Sequence, residues 1–438
     1  MAFIVLCTVG HVKPERQHLQ AHGLTGAAQR AILHFDTILA GERGNIVGDF
    51  LGNNKRLLTY VLIANFMLFF GFQIWQTLFN NYAVEELAIG PAGVGLVQAV
   101  REIPGLLGFL MAFLALLMPE TRIMAFGVIA LGAGILLTGE ATALPFLLAA
   151  TLIMSFGFHF FTAASSSVVL MAVKQTEAPR TLGTLGSIGS IAAVAGTLVV
   201  LFLAGPLGYR TLWVGVGIFA LVGGVILLLT SPKGDGLPVN RRIIMRKRYG
   251  LYYSLSFLMG CRRHIFSTFA IYLLVREYGI PVQTTAILFL ANSIINIFTL
   301  RWTGKLVGQL GERVALSISF GSLIFVFLGY AFIPILPVLY ALFILDNVLF
   351  GFNLALSTYF QKIAVSPEEI TSNVSVEQAV NHIAAVVIPI IGGVAWVKYG
   401  SQATFLFGVV IVTMSLILAQ FIRVTPEKIP APVPAATG

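Results

Sequence analysis

Long apolar stretches separated by short polar interruptions fill this chain of 438 residues. Twelve of them reach at least about 18 residues, the length a helix needs to cross a hydrocarbon core. They run approximately over 57–80, 92–117, 122–139, 143–172, 182–205, 211–231, 250–275, 282–303, 314–335, 337–361, 371–397 and 402–422. The pattern predicts an all-α polytopic membrane protein with 12 transmembrane helices, and an even number of spans puts both ends on one side. The polar stretch 232–249, rich in Gly, Pro and basic residues, divides the spans into a bundle over 56–231 and a second over 250–424. It leaves 1–55 as an N-terminal extension and 425–438 as a tail.

Polar residues inside the spans recur three and four apart, so each set marks one helix face. Segment 4 carries Ser155, His159, Thr162 and Ser166, and segment 8 carries Asn292, Asn296, Thr299 and Thr303. Asp346, Asn353 and Ser357 mark segment 10, and Asn373, Glu377 and Asn381 mark segment 11. In segment 7 the face is Ser256, Gly260, Arg263 and Ser267, with His264 beside it. Arg262 lies about 100° round from Arg263, so the two cannot both point straight into one cavity.

Composition agrees with the span pattern: 57% of residues are hydrophobic and 10% charged, against about 25% charged in soluble domains. The net charge of +9 is the signature of basic loops rather than of a nucleic-acid footprint. With the amino terminus taken as cytoplasmic, only Arg210, Arg276 and Lys398 fall outside, so both termini are predicted cytoplasmic in a cell inner membrane. Arg101, Arg262 and Arg263 remain within the spans, where a charge costs about 2.5–3.5 kcal/mol on insertion scales and marks a functional position. Two cysteines, Cys7 and Cys261, indicate neither a disulfide framework nor a zinc cluster. Leu24, Ala28, Ile32, Phe35 and Leu39 recur at helical spacing before the first span and predict an amphipathic surface helix. His18 and His22 stand one turn apart there, without a complete metal-ligand set.

The two bundles look like copies. Phe156-Gly157-Phe158-His159 matches Phe350-Gly351-Phe352-Asn353 at an offset of 194 positions, and Phe126-Gly127 matches Phe320-Gly321 at the same offset. Gly208 with Trp213 parallels Gly400 with Phe405 at an offset shifted by two. Such an ordered set argues for a parallel six-plus-six repeat. Between segments 8 and 9, Gly304-Lys-Leu-Val-Gly308-Gln-Leu-Gly311-Glu-Arg313 is similar to the loop signature GxLxDRxGRR of the major facilitator superfamily. It keeps both glycines, the leucine and the final arginine, and departs at Gly308, Gln309 and Glu312. The chain resembles that family over about 55–424. The resemblance implies two pseudo-symmetric six-helix bundles that rock about a central cavity, with Gly304, Gly311 and Arg313 in a conformational loop.

Arginine's planar fork suits carboxylate or phosphate, whereas a carboxyl in a partly dry site exchanges protons. These residue types predict a transporter of a small anionic or zwitterionic organic solute coupled to protons or another ion. Arg263 is expected as the main anion contact and Arg101 as a second, with His159, Arg262, His264, Asn292, Asn296 and Asn353 as further solute contacts. Asp346, Glu377 and Glu102 are the candidate proton sites. Efflux of amphipathic compounds, or a non-transporting scaffold or sensor on the same fold, are the alternatives. No nucleophile elbow, phosphate loop or metal set points to an enzyme. No cofactor is expected, and a monomer in the lipid bilayer is.

Overall fold

A computed structural model describes residues 55–108, 110–173, 178–232, 246–365 and 367–423. The expected surface helix before residue 55, most of the 232–249 linker and the tail from 425 lie outside the described residues. Residues Arg56–Gly438 make one compact unit.

The described segments are helical, in the predicted order. Helix α1 is Lys55–Glu85, and α2 is broken into Pro91–Leu106 and Leu110–Leu117. Then come α3 (Glu120–Gly139) and α4 (Leu144–Ala172). The stretch Ala178–Thr230 numbers 53 residues, which at about 1.5 Å per residue is more than twice the depth of a bilayer core. Gly208, at φ 74° and ψ 169°, kinks it into two crossings, here α5 (178–207) and α6 (209–230). In the second bundle α7 is Gly250–Tyr278, α8 Val282–Leu310 and α9 Glu312–Phe332. Helix α10 comprises Leu336–Phe350, a 3-10 turn Gly351–Asn353 and Leu354–Ile363; α11 is Pro367–Tyr399 and α12 Ser401–Ala419. Eight of the described helices are long and apolar enough to cross a membrane, Arg180–Thr230 counting as one of the eight. Helix α2 is broken, α7 carries two arginines at mid-length and α8 offers only the shorter apolar stretch Val282–Asn296, so none of the three reads as a plain apolar span.

The repeat is visible in the packing. Helix α3 lies against α4 and α6, as α9 lies against α10 and α12; α2 packs on α4 as α8 does on α10. Between the bundles α2 packs on α11, while α8 packs on the α5–α6 hairpin, with Gln283 beside Gly205. These two contacts exchange when the halves are exchanged, as a two-fold pseudo-symmetry requires. Gly208 and Gly400 both adopt positive φ, 74° and 84°, which glycine alone visits freely. Five residues on, Trp213 and Phe405 are both fully buried.

Lipid tails give no hydrophobic drive for helix association, so small residues that let backbones approach set the contacts. A Cβ on Gly127 would sit 2.8 Å from the Gly157 carbonyl oxygen, and one on Gly217 would sit 2.6 Å from the Leu136 side chain. Outward faces of α6 and α12 carry Phe219, Ile226, Val410 and Ile417, all exposed, as helices bordering lipid should.

Three hydrogen bonds across the halves lie away from the basic loops. Asn81 donates to the Ile280 carbonyl at 2.9 Å and accepts from Thr285 at 2.9 Å. Tyr272 donates to the Ile89 carbonyl at 3.0 Å. Close backbone approach of Gly95 to Pro389 and of Gly393 to Pro91 tightens the same side. The molecule is pinned at the end opposite its basic loops.

Candidate functional site

The two adjacent arginines of α7 meet different partners, although both guanidiniums lie near the Phe350 ring, at 5.7 and 4.6 Å. Arg262 is 1% exposed and its Nη1 donates to Asp346 Oδ1 on α10 at 2.9 Å. A buried charge needs a partner of this kind. Arg263 instead faces open space with its guanidinium 4.6 Å from the centre of the Phe350 ring, a cation–π arrangement. No carboxylate among the described residues comes within ion-pair distance of it.

That space is a cavity of about 370 Å³ on the side of the basic loops. Ser256, Gly260 and Arg263 of α7, Asn353 and Ser357 of α10, and Glu377 and Asn381 of α11 line it. Ser267, on the same predicted face, does not. Gly260 makes room for α11: a Cβ there would meet Asn381 Oδ1 at 2.9 Å. The Tyr252 hydroxyl donates to Glu377 Oε2 at 2.6 Å, and Asn381 Oδ1 lies 3.3 Å from His264 Nε2. The 3-10 turn Gly351–Asn353 interrupts α10 at this wall, a feature common at hinges. Its counterpart Gly157–His159 is regular helix.

A second polar cluster sits where α2, α4 and α11 meet. Arg101 Nη2 lies 2.6 Å from Glu102 Oε1, and Arg101 Nε donates to Gln98 at 2.8 Å. The other oxygen of Glu102 is 3.0 Å from His382 Nδ1 and 3.7 Å from His159 Nε2. The Ser155 hydroxyl donates to the Arg101 carbonyl. Glu102 is therefore held from three sides.

Several of the expected site residues lie apart from the Arg263 cavity. Arg262 and Asp346, expected as a solute contact and a proton carrier, close on each other because each is otherwise an unpaired buried charge. Arg101 and Glu102 pair together rather than lining the Arg263 cavity, and His159 joins them. Asn296 turns to Asn347, whose Nδ2 donates to Asn296 Oδ1 at 3.0 Å and to the backbone carbonyl of Asn292 at 3.4 Å, while the Asn292 side-chain oxygen is buried without a hydrogen-bond partner among the described residues. Gly311, at φ 78°, ends α8, and Arg313 donates to Gln420, just past the end of α12, at 3.2 Å. Gly304 packs beside Leu354.

Sequence reasoning missed Tyr252 and Phe350 as cavity partners and Asn347 altogether, because aromatic and single polar residues are ordinary in such helices. At the basic-side mouth, Arg246 Nε donates to Glu369 Oε1 at 2.8 Å and the Tyr249 hydroxyl donates to the other oxygen. These bonds hold the Glu369 carboxyl below the usual glutamate range and push the Arg246 guanidinium up.

The family model of the Major Facilitator Superfamily matches residues 61–375. Among solved structures, a bacterial homolog to the human lysosomal transporter Spinster, in an inward-facing and occupied conformation, is similar at 16% identity and a TM-score of 0.68. The match covers 84% of this chain and 96% of that one. A mutant form of the nucleoside transporter NupG is similar at 17% identity and a TM-score of 0.70, covering 83% of this chain and 99% of that one. No curated protein sequence matches the chain. A family match over most of the chain, together with paired six-helix bundles, makes this integral membrane protein a member of the major facilitator superfamily of transporters.

Proposed function

We propose that the protein moves a small organic anion or zwitterion across the membrane by alternating access, with protons as the coupling ion. The supporting observation is the Arg263 cavity. It combines a guanidinium that has no carboxylate partner among the described residues with a carboxyl, Glu377, that lines the same space. Arg263 binds the solute carboxylate or phosphate through its planar fork. Glu377 receives the cationic group of a zwitterion, or a proton that travels with an anion. Asn353, Asn381 and Ser357 offer neutral hydrogen bonds to the rest of the solute.

The halves meet at the end away from the basic loops, while the cavity lies on the basic side. With basic loops in the cytoplasm, this is an inward-facing state. Rocking of the two bundles about the cavity would expose it to the other side.

The test is uptake into proteoliposomes of purified protein. A thermal-shift screen of carboxylates, phosphates, amino acids and uncharged nucleosides selects the labelled solute. Uptake should be accelerated by an imposed pH gradient in the wild type and lose that acceleration in Glu377→Gln. Transport of an uncharged nucleoside alone, indifferent to the gradient, would overturn the proposal.

A further inference from the structure

We propose that Glu102, His159 and His382 form a transition-metal site, suited to Zn²⁺, that clamps the two halves together. Their ligand atoms all lie within 4.8 Å of one another. A tetrahedral ion with bonds of about 2.0–2.1 Å separates its ligands by about 3.3 Å. The two distances from Glu102 Oε2, 3.0 Å to His382 Nδ1 and 3.7 Å to His159 Nε2, bracket that edge.

Surrounding groups prepare the ligands. Ser155 Oγ gives its proton to the Arg101 carbonyl, so toward His159 Nδ1, 3.2 Å away, it can only accept. The His159 proton is therefore on Nδ1, which also lies 3.2 Å from the Ser155 carbonyl, and the Nε2 lone pair is directed at Glu102. This is how outer groups orient a metal-binding imidazole. Arg101 occupies Oε1 of Glu102 at 2.6 Å and leaves Oε2 for the ion. Gly105 provides the space for the His382 ring, since a Cβ there would fall 2.4 Å from it. His382 is 23% exposed, so a fourth position is open to water or a small anion.

Glu102 and His159 belong to the first six helices and His382 to α11 of the second. An ion bound by all three stabilises the conformation in which α2 and α11 touch, and slows their separation.

The experiment is equilibrium dialysis of untagged, full-length protein in nanodiscs against ⁶⁵Zn²⁺. The wild type should show one site more than His159→Gln or His382→Gln, or a site whose affinity falls at least about tenfold in each. The four histidines of the N-terminal extension are common to all variants and cancel in the comparison. His382→Cys, which restores a zinc ligand but not an imidazole, should recover binding, and Zn²⁺ should raise the wild-type Tm more than that of His382→Gln. Equal Zn²⁺ binding by wild type and both glutamine variants would overturn the site. So would failure of His382→Cys to bind more Zn²⁺ than His382→Gln.

Discussion

The cavity bounded by α7, α10 and α11 has a counterpart bounded by α1, α4 and α5, at about 370 and 380 Å³. Both lie on the side of the basic loops and correspond under the repeat, yet their linings differ in kind. Where the second half places Arg263, the first has Phe69 at the offset of 194; at the offset of 192, Glu377 and Asn381 answer to Leu185 and Gly189. The first cavity is walled by Phe69, Leu182, Leu185 and small or hydroxyl residues, and Asn65 donates to the Leu185 carbonyl at 2.9 Å. Shared backbone geometry thus carries two chemistries. The two halves share packing, and the ionisable side chains that line a cavity are concentrated in one of them.

Substitutions that make one half resemble the other test how far this division extends. For stability the largest effect is expected at Arg262 and Asp346, whose counterparts at the offset of 194 are Leu68 and Leu152. Arg262→Ala leaves a buried carboxylate unpaired and should cost about 3–5 kcal/mol, read as a lower Tm in detergent. The double replacement Arg262→Leu with Asp346→Leu copies the first half and should recover most of that loss. A double variant as unstable as the single one would break the comparison.

A smaller effect separates Gly127 from its counterpart Gly321. Gly127 touches the Gly157 backbone, whereas nothing lies within 4 Å of a Cβ on Gly321. Gly127→Ala should therefore destabilise by about 1–3 kcal/mol through overpacking, and Gly321→Ala by much less. Thermal unfolding of the two variants side by side decides it.

The smallest effect concerns Glu369 at the mouth. Its carboxyl sits below the ordinary value of 4.5 because Arg246 and Tyr249 bond it. A depressed pKa stabilises the folded state above the unfolded pKa, and that contribution fades as pH falls through the folded one. Glu369→Gln should therefore lie slightly below wild type at neutral pH and converge with it in acid. A gap that widens on acidification would contradict the pairing.

Much of the architecture was legible in the chain. Apolar run length gave the spans, and the Gly208/Trp213 and Gly400/Phe405 parallel gave the repeat. Periodicity also placed Ser256, Gly260 and Arg263 on one face of α7, and that face borders the cavity. Pairings across the bundle were not legible. Arg262 and Asp346 are 84 positions apart, and Glu102 and His382 are 280 apart. Helical spacing fixes which residues share a face but not which helix the face meets. For that reason Asp346 read as a candidate proton site with no link to Arg262, and nothing in the spacing joined His382 to Glu102. The break in α10 was hidden as well, since Phe-Gly-Phe occurs in α4 without one.

The most direct test of the account compares Arg263→Ala with Phe69→Ala in proteoliposome uptake of the same labelled solute. Losing a hydrogen bond to a charged group, worth about 1.5–3 kcal/mol, should lower kcat/KM about 10- to 100-fold for Arg263→Ala. Phe69→Ala, at the matching place in the uncharged cavity, should stay within about threefold of wild type, the scale of a modest packing change. Equal losses in the two variants, or undiminished transport by Arg263→Ala, would contradict the assignment of the solute site to the second half.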